Sequence, residues 1–196
     1  MAIYLFAAQG RDGKVLAYSL LSYGVRRVFG LKTLPELARE KRGKPYFPDY
    51  PSLFFNLSHS GPFAFCGLGT GPLGVDIEQM RPCRAGLPRR VMSSREYEAY
   101  SSCADQRERF FSLWTLKESY CKCTGEGLAV PLRESEFLFS KDGKITSSRK
   151  DYRFRSYAGA NWRAAACALG ACPPREIIWV PDLWNEPHAW NENKGE

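Results

Sequence analysis

Frequent glycine and proline residues, 17 and 13 of them in 196, cut the apolar parts of this chain into short runs. Three runs follow one another closely, at residues 53–57, 63–69 and 73–78. Runs of this length suit strands, and the short breakers between them favour an antiparallel sheet. No run approaches the roughly 18 apolar residues that a membrane-spanning helix requires. The chain is therefore predicted to fold around short strands, without a membrane span.

Helices are predicted where the spacing of apolar residues changes to three or four. Leu16, Leu20, Leu21 and Val25 follow this spacing, and Gly30 provides a stop signal. The patterns Thr-Leu-Pro-Glu and Ser-Ser-Arg-Glu each match a capping box, which marks the start of a helix. The four predicted helices run from about 15 to 29, from 33 to 42, from 93 onward and from 105 to 123.

The second half of the chain is predicted to end in strands, at 136–140, 152–157, 162–169 and 176–180. Helices followed by antiparallel strands in both halves are typical of an α+β fold rather than a wound parallel sheet. Residues after about 182 are predicted to form a polar tail. Similarity between the halves is too weak to establish a repeat from the letters alone.

Positive charge is concentrated in the first half of the chain. The net charge is +7, and residues 1–74 hold 9 Lys and Arg against 4 Asp and Glu. Most of this excess lies between Arg26 and Lys44. Such a concentration favours a polyanionic partner, which is a nucleic acid, an acidic protein surface or a phosphorylated small molecule. A solvated helix face is the alternative interpretation.

Seven cysteines, an odd number without C-x-x-C spacing, favour reduced thiols over a disulfide framework. The first residues lack the basic and apolar regions of a signal peptide, so a cytoplasmic protein is expected. Zinc is not expected, because the chain has only two histidines, His59 and His188.

Two groups of side chains have the spacing of a reactive site. Asp76 and Glu78 share one face of a predicted strand, where paired carboxylates suit a hard cation such as Mg²⁺. Trp114, Glu118 and Lys122 share one face of a predicted helix, and the tryptophan favours a cleft wall. A half-exposed strand and an ordinary Glu–Lys surface pair are the alternatives.

A third segment, Asn-Leu-Ser-His-Ser-Gly at 56–61, suits either phosphate binding by Ser58 and His59 or a simple strand turn. No G-x-G-x-x-G or G-x-x-x-x-G-K-S/T run is present. The order of four motifs resembles the 4'-phosphopantetheinyl transferases of the surfactin-synthetase-activating (Sfp-type) branch. These motifs are Gly-Lys-Pro at 43–45, Asn-Leu-Ser-His-Ser at 56–60, Gly-Val-Asp-Ile-Glu at 74–78 and Trp-x-x-Lys-Glu-Ser-x-x-Lys at 114–122.

The resemblance implies two pseudo-symmetric α+β halves, 1–74 and 75–196, with the active site at their interface. It also implies transfer of the phosphopantetheine arm of coenzyme A (CoA) to a serine of an apo acyl or peptidyl carrier protein, releasing adenosine 3',5'-bisphosphate. The matching Mg²⁺ ligands are Asp76, Glu78 and Glu118. Lys122 matches the lysine at the CoA phosphates, and Lys44, Ser58 and His59 match positions at the 3'-phosphoadenosine end.

Phosphoryl transfer requires charge neutralisation and alignment, so Lys122 is predicted to stabilise the leaving phosphate and Glu118 to accept the serine proton. Family members usually have a longer basic segment before the first helix, and many have an arginine where this chain has Tyr18. Arg26 and Arg27, or Lys41, are therefore predicted to complete the CoA site.

The expected partners are CoA and an apo carrier protein, with no nucleic acid and no membrane, and the chain is expected to act as a monomer. The alternatives are a basic module that binds nucleic acid or an acidic protein without catalysis, a metal-dependent phosphodiesterase and a non-catalytic family member.

Overall fold

The computed structural model describes residues 1–127, 131–140, 142–181 and 183. The helices are α1 (Gly13–Phe29), α2 (Leu87–Val91), α3 (Ser94–Ser101) and α4 (Gln106–Thr124). The first strands are β1 (Ile3–Gln9), β2 (Ala38–Arg39), β3 (Pro45–Tyr46), β4 (Phe54–Ser60), β5 (Phe63–Gly69) and β6 (Leu73–Gln79). The later strands are β7 (Phe137–Phe139), β8 (Ile145–Ser147), β9 (Tyr152–Ala158), β10 (Trp162–Leu169) and β11 (Ile178–Trp179). Among the described helices, none has the length and hydropathy to cross a bilayer.

The same topology occurs twice along the chain. In the first half, β1, α1, β4 and β5 form a helix packed on a sheet with the strand order β1-β5-β4. In the second half, β6, α4, β9 and β10 form a helix packed on a sheet with the order β6-β10-β9. The predicted α+β fold with pseudo-symmetric halves is thereby confirmed, although the letters alone did not establish the repeat.

The strands partition between the two sheets differently from the prediction. The runs at 53–57 and 63–69 become β4 and β5 of one antiparallel sheet, as predicted. The prediction that the run at 73–78 joins that sheet is wrong, because β6 pairs with β10. The short β11 returns to the first sheet and pairs with β1 in parallel.

The two sheets stack between the two long helices. Because strand residues alternate between faces, Phe6 packs toward α1 while its neighbour Leu5 packs between the sheets. Val75 and Ile77 of β6 also lie between the sheets. The opposite face of β6, which carries Asp76, therefore turns toward α4.

Three of the four predicted helices are present. Asp12 and Asp105 cap the N-terminal ends of α1 and α4 with their side chains, and Gly30 and Gly125 end these helices with left-handed backbone. Ser93 forms the predicted capping box at the start of α3.

The predicted helix at 33–42 is wrong, because this segment is irregular apart from the short strand β2 and a turn. Gly43, with φ of +85°, permits the turn that pairs β2 with β3. A helix of so few residues has marginal stability without extensive packing, so this segment forms the β2–β3 hairpin instead. Apart from Leu183, the predicted polar tail, including His188, lies outside the described residues.

Candidate active site

The two halves meet along β4 and β6, and side chains rather than backbone groups join these strands. Asn56 Oδ1 accepts a hydrogen bond from the Val75 N–H at 2.9 Å. Two residues further along β4, Ser58 Oγ accepts one from the Ile77 N–H at 3.2 Å. The alternate residues of β4 thus satisfy the free edge of β6, which explains why β6 does not continue the first sheet.

Asp76 lies at the centre of this junction and is 3% exposed. Its Oδ1 accepts hydrogen bonds from Ser58 Oγ at 2.8 Å and from Lys122 Nζ at 2.7 Å. Its Oδ2 is buried without a hydrogen-bond partner among the described residues. A buried carboxylate oxygen without a partner is costly, and it marks a place where a donor or a cation would be stabilised.

Glu78 lies two residues beyond Asp76 on the same face of β6, as the alternation predicts. Ser60 Oγ donates a hydrogen bond to its Oε2 at 2.5 Å, and the Trp114 side chain is a further hydrogen-bond partner. Burial raises the pKa of Glu78, and the nearby Asp76 carboxylate raises it further. The site therefore disfavours a second negative charge.

Glu118 approaches these carboxylates from α4. Burial, followed by the negative charge of Asp76, raises the pKa of Glu118 to about 7, although the positive charge of Lys122 acts in the opposite direction. A carboxyl group with such a pKa can hold or release a proton near neutral pH.

A close approach of β6 to α4 creates this geometry. A Cβ atom at Gly74 would lie less than 3 Å from the backbone oxygen of Ser119 and the backbone nitrogen of Cys123. Only glycine permits such an approach, so the backbones pack together and place Glu118 and Lys122 beside Asp76.

A cleft of about 350 Å³ opens at this point between the halves. It is lined by Leu57, Ser58, His59, Asp76, Glu78, Trp114, Glu118 and Lys122. The predicted role of Trp114 as a cleft wall is confirmed. In the described residue ranges, no three His, Cys, Asp or Glu side chains are already arranged as a metal-binding cluster.

A second groove, also of about 350 Å³, shares Glu78 and Trp114 with the cleft and continues outward. Its wall carries the cations Arg81 and Arg84 and the apolar side chain of Leu87. The site is thus connected to a surface that is both basic and apolar.

The remaining predicted CoA residues lie at different distances from the cleft. Lys44 Nζ donates to the Cys123 carbonyl at 3.0 Å, next to Lys122, and burial lowers the pKa of this lysine. Arg26 and Arg27 lie in the last turn of α1 and do not line the cleft. Lys44 thus contacts the end of α4 that carries Lys122, but neither this lysine nor the two arginines line the cleft.

Sequence reasoning missed three contributors to the site. Asn56 and Ser60 join the halves, and the signal was the polar alternation at 56, 58 and 60 on one strand face. Lys117 is fully buried and pairs with Glu96 at 2.8 Å, which fixes the opposite side of α4. No local pattern distinguishes this lysine from a surface residue.

Comparisons with known proteins identify a family that this chain matches. Residues 72–169 match the family model of the 4'-phosphopantetheinyl transferase superfamily. The 4'-phosphopantetheinyl transferase Sfp of Bacillus subtilis (strain 168) is 31% identical over 176 residues, covering 86% of this chain and 77% of Sfp. HetI, a 4'-phosphopantetheinyl transferase of Nostoc sp., is 42% identical over 156 residues, covering 74% of this chain and 63% of HetI.

Another relative, the transferase ffp of Bacillus subtilis, is 32% identical over 148 residues, covering 72% of this chain and 66% of ffp. Among solved structures, a holo-(acyl-carrier-protein) synthase from Bacillus anthracis in complex with CoA aligns with 50% of this chain and 94% of that chain. The identity is 18% and the TM-score 0.45.

Proposed function

Because the chain belongs to the 4'-phosphopantetheinyl transferase superfamily, as its motifs indicated, we propose that it transfers phosphopantetheine from CoA to a carrier-protein serine. The observation that carries this proposal is the cleft between the halves, where three carboxylates and Lys122 converge. Phosphoryl transfer requires such a concentration of groups that neutralise and align charge.

The donor set of the cleft fits Mg²⁺. Asp76, Glu78 and Glu118 supply only oxygen ligands, which this cation prefers. The unpartnered Oδ2 of Asp76 and the raised pKa values of Glu78 and Glu118 indicate negative charge that a cation would compensate. These three carboxylates would hold the ion, which would neutralise the pyrophosphate of CoA.

The side chains of the chain itself have complementary roles in this proposal. The Oγ of the carrier serine attacks the phosphorus next to the pantetheine arm, and the bond from that phosphorus to the bridging oxygen breaks. Glu118, which lines the cleft, accepts the serine proton, directly or through a water molecule. The Nζ of Lys122 stabilises the charge that develops on the released adenosine 3',5'-bisphosphate.

CoA and the carrier protein would approach from different sides. The exposed His59, which lines the cleft, and Lys44, which contacts α4 beside Lys122, would bind the phosphates of the nucleotide end. The adjoining groove with Arg81 and Arg84 has the charge to accept an acidic carrier surface. We omit Arg26 and Arg27 from the proposed CoA site, because they lie in the last turn of α1, whereas the opposite end of this helix contacts His59.

We also propose that the protein acts as a monomer in the cytoplasm. Both walls of the cleft come from one chain, so catalysis needs no second copy. All seven cysteines are free thiols in the structure, which suits a reducing compartment. Light scattering during size-exclusion chromatography tests the oligomeric state.

The decisive experiment incubates the protein with CoA, Mg²⁺ and apo carriers from fatty-acid, polyketide and peptide synthesis, and then measures intact carrier mass. We expect at least one carrier to gain the phosphopantetheine arm, and we expect chelation by EDTA to prevent it. Asp76→Ala and Glu118→Ala are expected to abolish the gain without unfolding the protein. Glu98→Ala, on the exposed side of α3, is the control. No mass gain on any carrier would refute the proposed function.

A further inference from the structure

We propose that the protein has a second small-molecule site, which binds the phosphate or carboxylate group of a ligand between the first turns of α4 and the β9–β10 hairpin. This site is a cavity of about 540 Å³, larger than the cleft and within the range of about 300–1,000 Å³ that is usual for ligand pockets. In the described part of the chain, the cavity and the cleft have no lining residue in common. The proposal therefore does not depend on the activity of the cleft.

Arg163, on the wall of this cavity, has an unused hydrogen-bond donor. Its side chain is only 8% exposed, and its Nη2 pairs with Glu108 Oε1 at 2.7 Å. Its Nη1 donates to the carbonyl oxygens of Gly159 and Trp162, each at 2.7 Å. Its Nε is buried and has no hydrogen-bond partner among the described residues. A guanidinium binds a carboxylate or a phosphate best through two parallel N–H groups, and Glu108 uses only one of them.

The ion pair of Glu108 with Arg163 is one that a ligand can displace. The Glu108 side chain is 49% exposed, and an ion pair with an exposed partner contributes little to stability. An oxyanion that accepts from both Nε and Nη2 satisfies the buried donor that Glu108 leaves without a partner. The ligand therefore takes the place of Glu108, which turns outward into solvent.

Further donors line the same cavity. The guanidinium of Arg109 lies 4.4 Å from the centre of the Phe139 ring, and its Nε donates to Cys103 Sγ at 3.3 Å. No described carboxylate forms an ion pair with Arg109. The hydroxyls of Ser112, which is 7% exposed, and Ser156 have no hydrogen-bond partner within the described ranges. Each of these groups can donate to an oxyanion.

The charge of the cavity becomes positive when the ligand binds. Asp105 also lines it, but this carboxylate accepts from the Glu108 N–H at 2.8 Å and caps α4. Once Glu108 has turned outward, two guanidinium groups face the single carboxylate of Asp105. An anionic ligand group is thus favoured over a cationic one.

The size and the apolar lining of the cavity indicate the rest of the ligand. An inorganic phosphate would fill only a small part of the volume. Phe139, Ala104 and Ala158 provide apolar surface beside the donors. The ligand is therefore a small molecule with an apolar or aromatic body that carries one phosphate or carboxylate group.

Phenyl phosphate, benzoate and benzamide test this site, because they share an aromatic ring and differ in charge and in the oxyanion. Each is titrated into the metal-free ¹⁵N-labelled protein in phosphate-free buffer, and amide shifts are recorded. We expect phenyl phosphate or benzoate to shift the amides of Ala104, Gly143 and Ala158 saturably, whereas neutral benzamide does not. The tighter of the two anions identifies the ligand group as a phosphate or a carboxylate. Shifts confined to the cleft, or none, would overturn the proposal.

Two substitutions in α4 are expected to change the Kd of the anion in opposite directions. Arg109→Gln should raise it at least about fivefold by removing a charged donor. Glu108→Gln should lower it at least about threefold by removing the internal competitor for Arg163. Arg107→Gln and Glu98→Gln, at exposed positions outside the cavity, are the matched controls, and their Kd should stay within about twofold of the parent.

Ser112→Ala, which removes an unpartnered hydroxyl, should raise the Kd at least about threefold and provides the same test if Arg109→Gln does not fold. A Kd that rises in Glu108→Gln would overturn the proposal. Equal weakening by Arg107→Gln and Arg109→Gln would overturn it as well, because binding would then reflect only the net charge of the protein.

Discussion

At the scale of single residues, Glu118 couples the chemistry of the cleft to the stability of the fold. Its pKa rises from 4.5 to about 7, chiefly through burial. Between these values the folded protein keeps a proton that the unfolded chain has lost. The contribution of this group to stability is therefore present at low pH and is lost as the pH rises through about 7.

Glu118→Gln tests this coupling in the metal-free protein. At pH 8 we expect the variant to exceed the parent in free energy of unfolding by on the order of 1–2 kcal/mol, because it no longer buries a charge. At pH 4 the difference should vanish. Urea denaturation in EDTA measures both values, with Glu98→Gln as the exposed control. A gain of the same size at both pH values would contradict the charge explanation.

The sequence predicted which side chains share one face of a strand or helix, because that depends only on the local backbone geometry. Alternation placed Asp76 and Glu78 together, and the spacing of four placed Trp114, Glu118 and Lys122 in one stripe. The hydrogen bond from Ser60 to Glu78 was not predictable in the same way. It depends on which strand lies beside β6, and that partner is 18 residues distant in sequence.

At the scale of elements, the packing of β6 on α4 depends on the absence of a side chain at Gly74. We expect Gly74→Ala to destabilise the protein by about 3 kcal/mol and to lower transfer activity, because rigid backbone atoms of α4 would have to move. Chemical denaturation and the carrier assay measure the two effects.

Gly71→Ala is the matched control for this substitution. Its added methyl group would contact only the flexible side chain of Met1, so a loss below about 1 kcal/mol is expected. If both glycine variants proved equally stable, the close approach of β6 to α4 would not be essential.

A buried ion pair holds the other side of α4. Lys117 and Glu96 are both fully buried, and Lys117 Nζ also donates to the carbonyl oxygens of Leu132 and Ser135 at 2.8 and 2.6 Å. The pair thereby links α4 to α3 and to the segment before β7.

Lys117→Met is expected to destabilise the protein by about 3–5 kcal/mol, because it strands the Glu96 charge in the core. Adding Glu96→Gln should recover part of this loss by removing that charge. The exposed pair of Arg95 with Glu136 is the comparison, and Arg95→Ala should cost at most about 1 kcal/mol. Thermal or urea unfolding would contradict the argument if Lys117→Met were as mild as Arg95→Ala.

At the scale of the whole molecule, the orientation of α1 separates the basic charge from the cleft. Gly13, at the start of α1, lies against His59. Arg26 and Arg27 lie 13 and 14 residues further on, which is about 20 Å along a helix with a rise of 1.5 Å per residue. Arg26 and Arg27 are thus separated from the cleft by most of the length of α1.

We therefore expect the double variant Arg26→Ala, Arg27→Ala to bind CoA with a Kd within about twofold of the parent, since charges at this distance from the cleft are largely screened by salt. Calorimetric titration measures this, with His59→Ala as the variant expected to bind more weakly. A clear rise in Kd for the double variant would return these arginines to the CoA site, as the sequence first suggested.

The sequence by itself determined the α+β class, the two long helices and the faces on which the reactive side chains lie. These properties follow from local periodicity and from capping signals such as Gly30 and the capping box that begins at Ser93. Family membership was also predictable, because the four motifs keep their order and spacing.

Only the tertiary structure decided which faces meet. It moved β6 into the second sheet, replaced the predicted helix at 33–42 with a hairpin, and placed Ser58 against Lys122, 64 residues away. Such contacts depend on packing between segments that are distant in sequence. At β6, α4 packs closely against Gly74, and side chains of β4 form hydrogen bonds with the free strand edge. Local propensity carries no information about these distant partners, so the site became complete only when the halves were packed against each other.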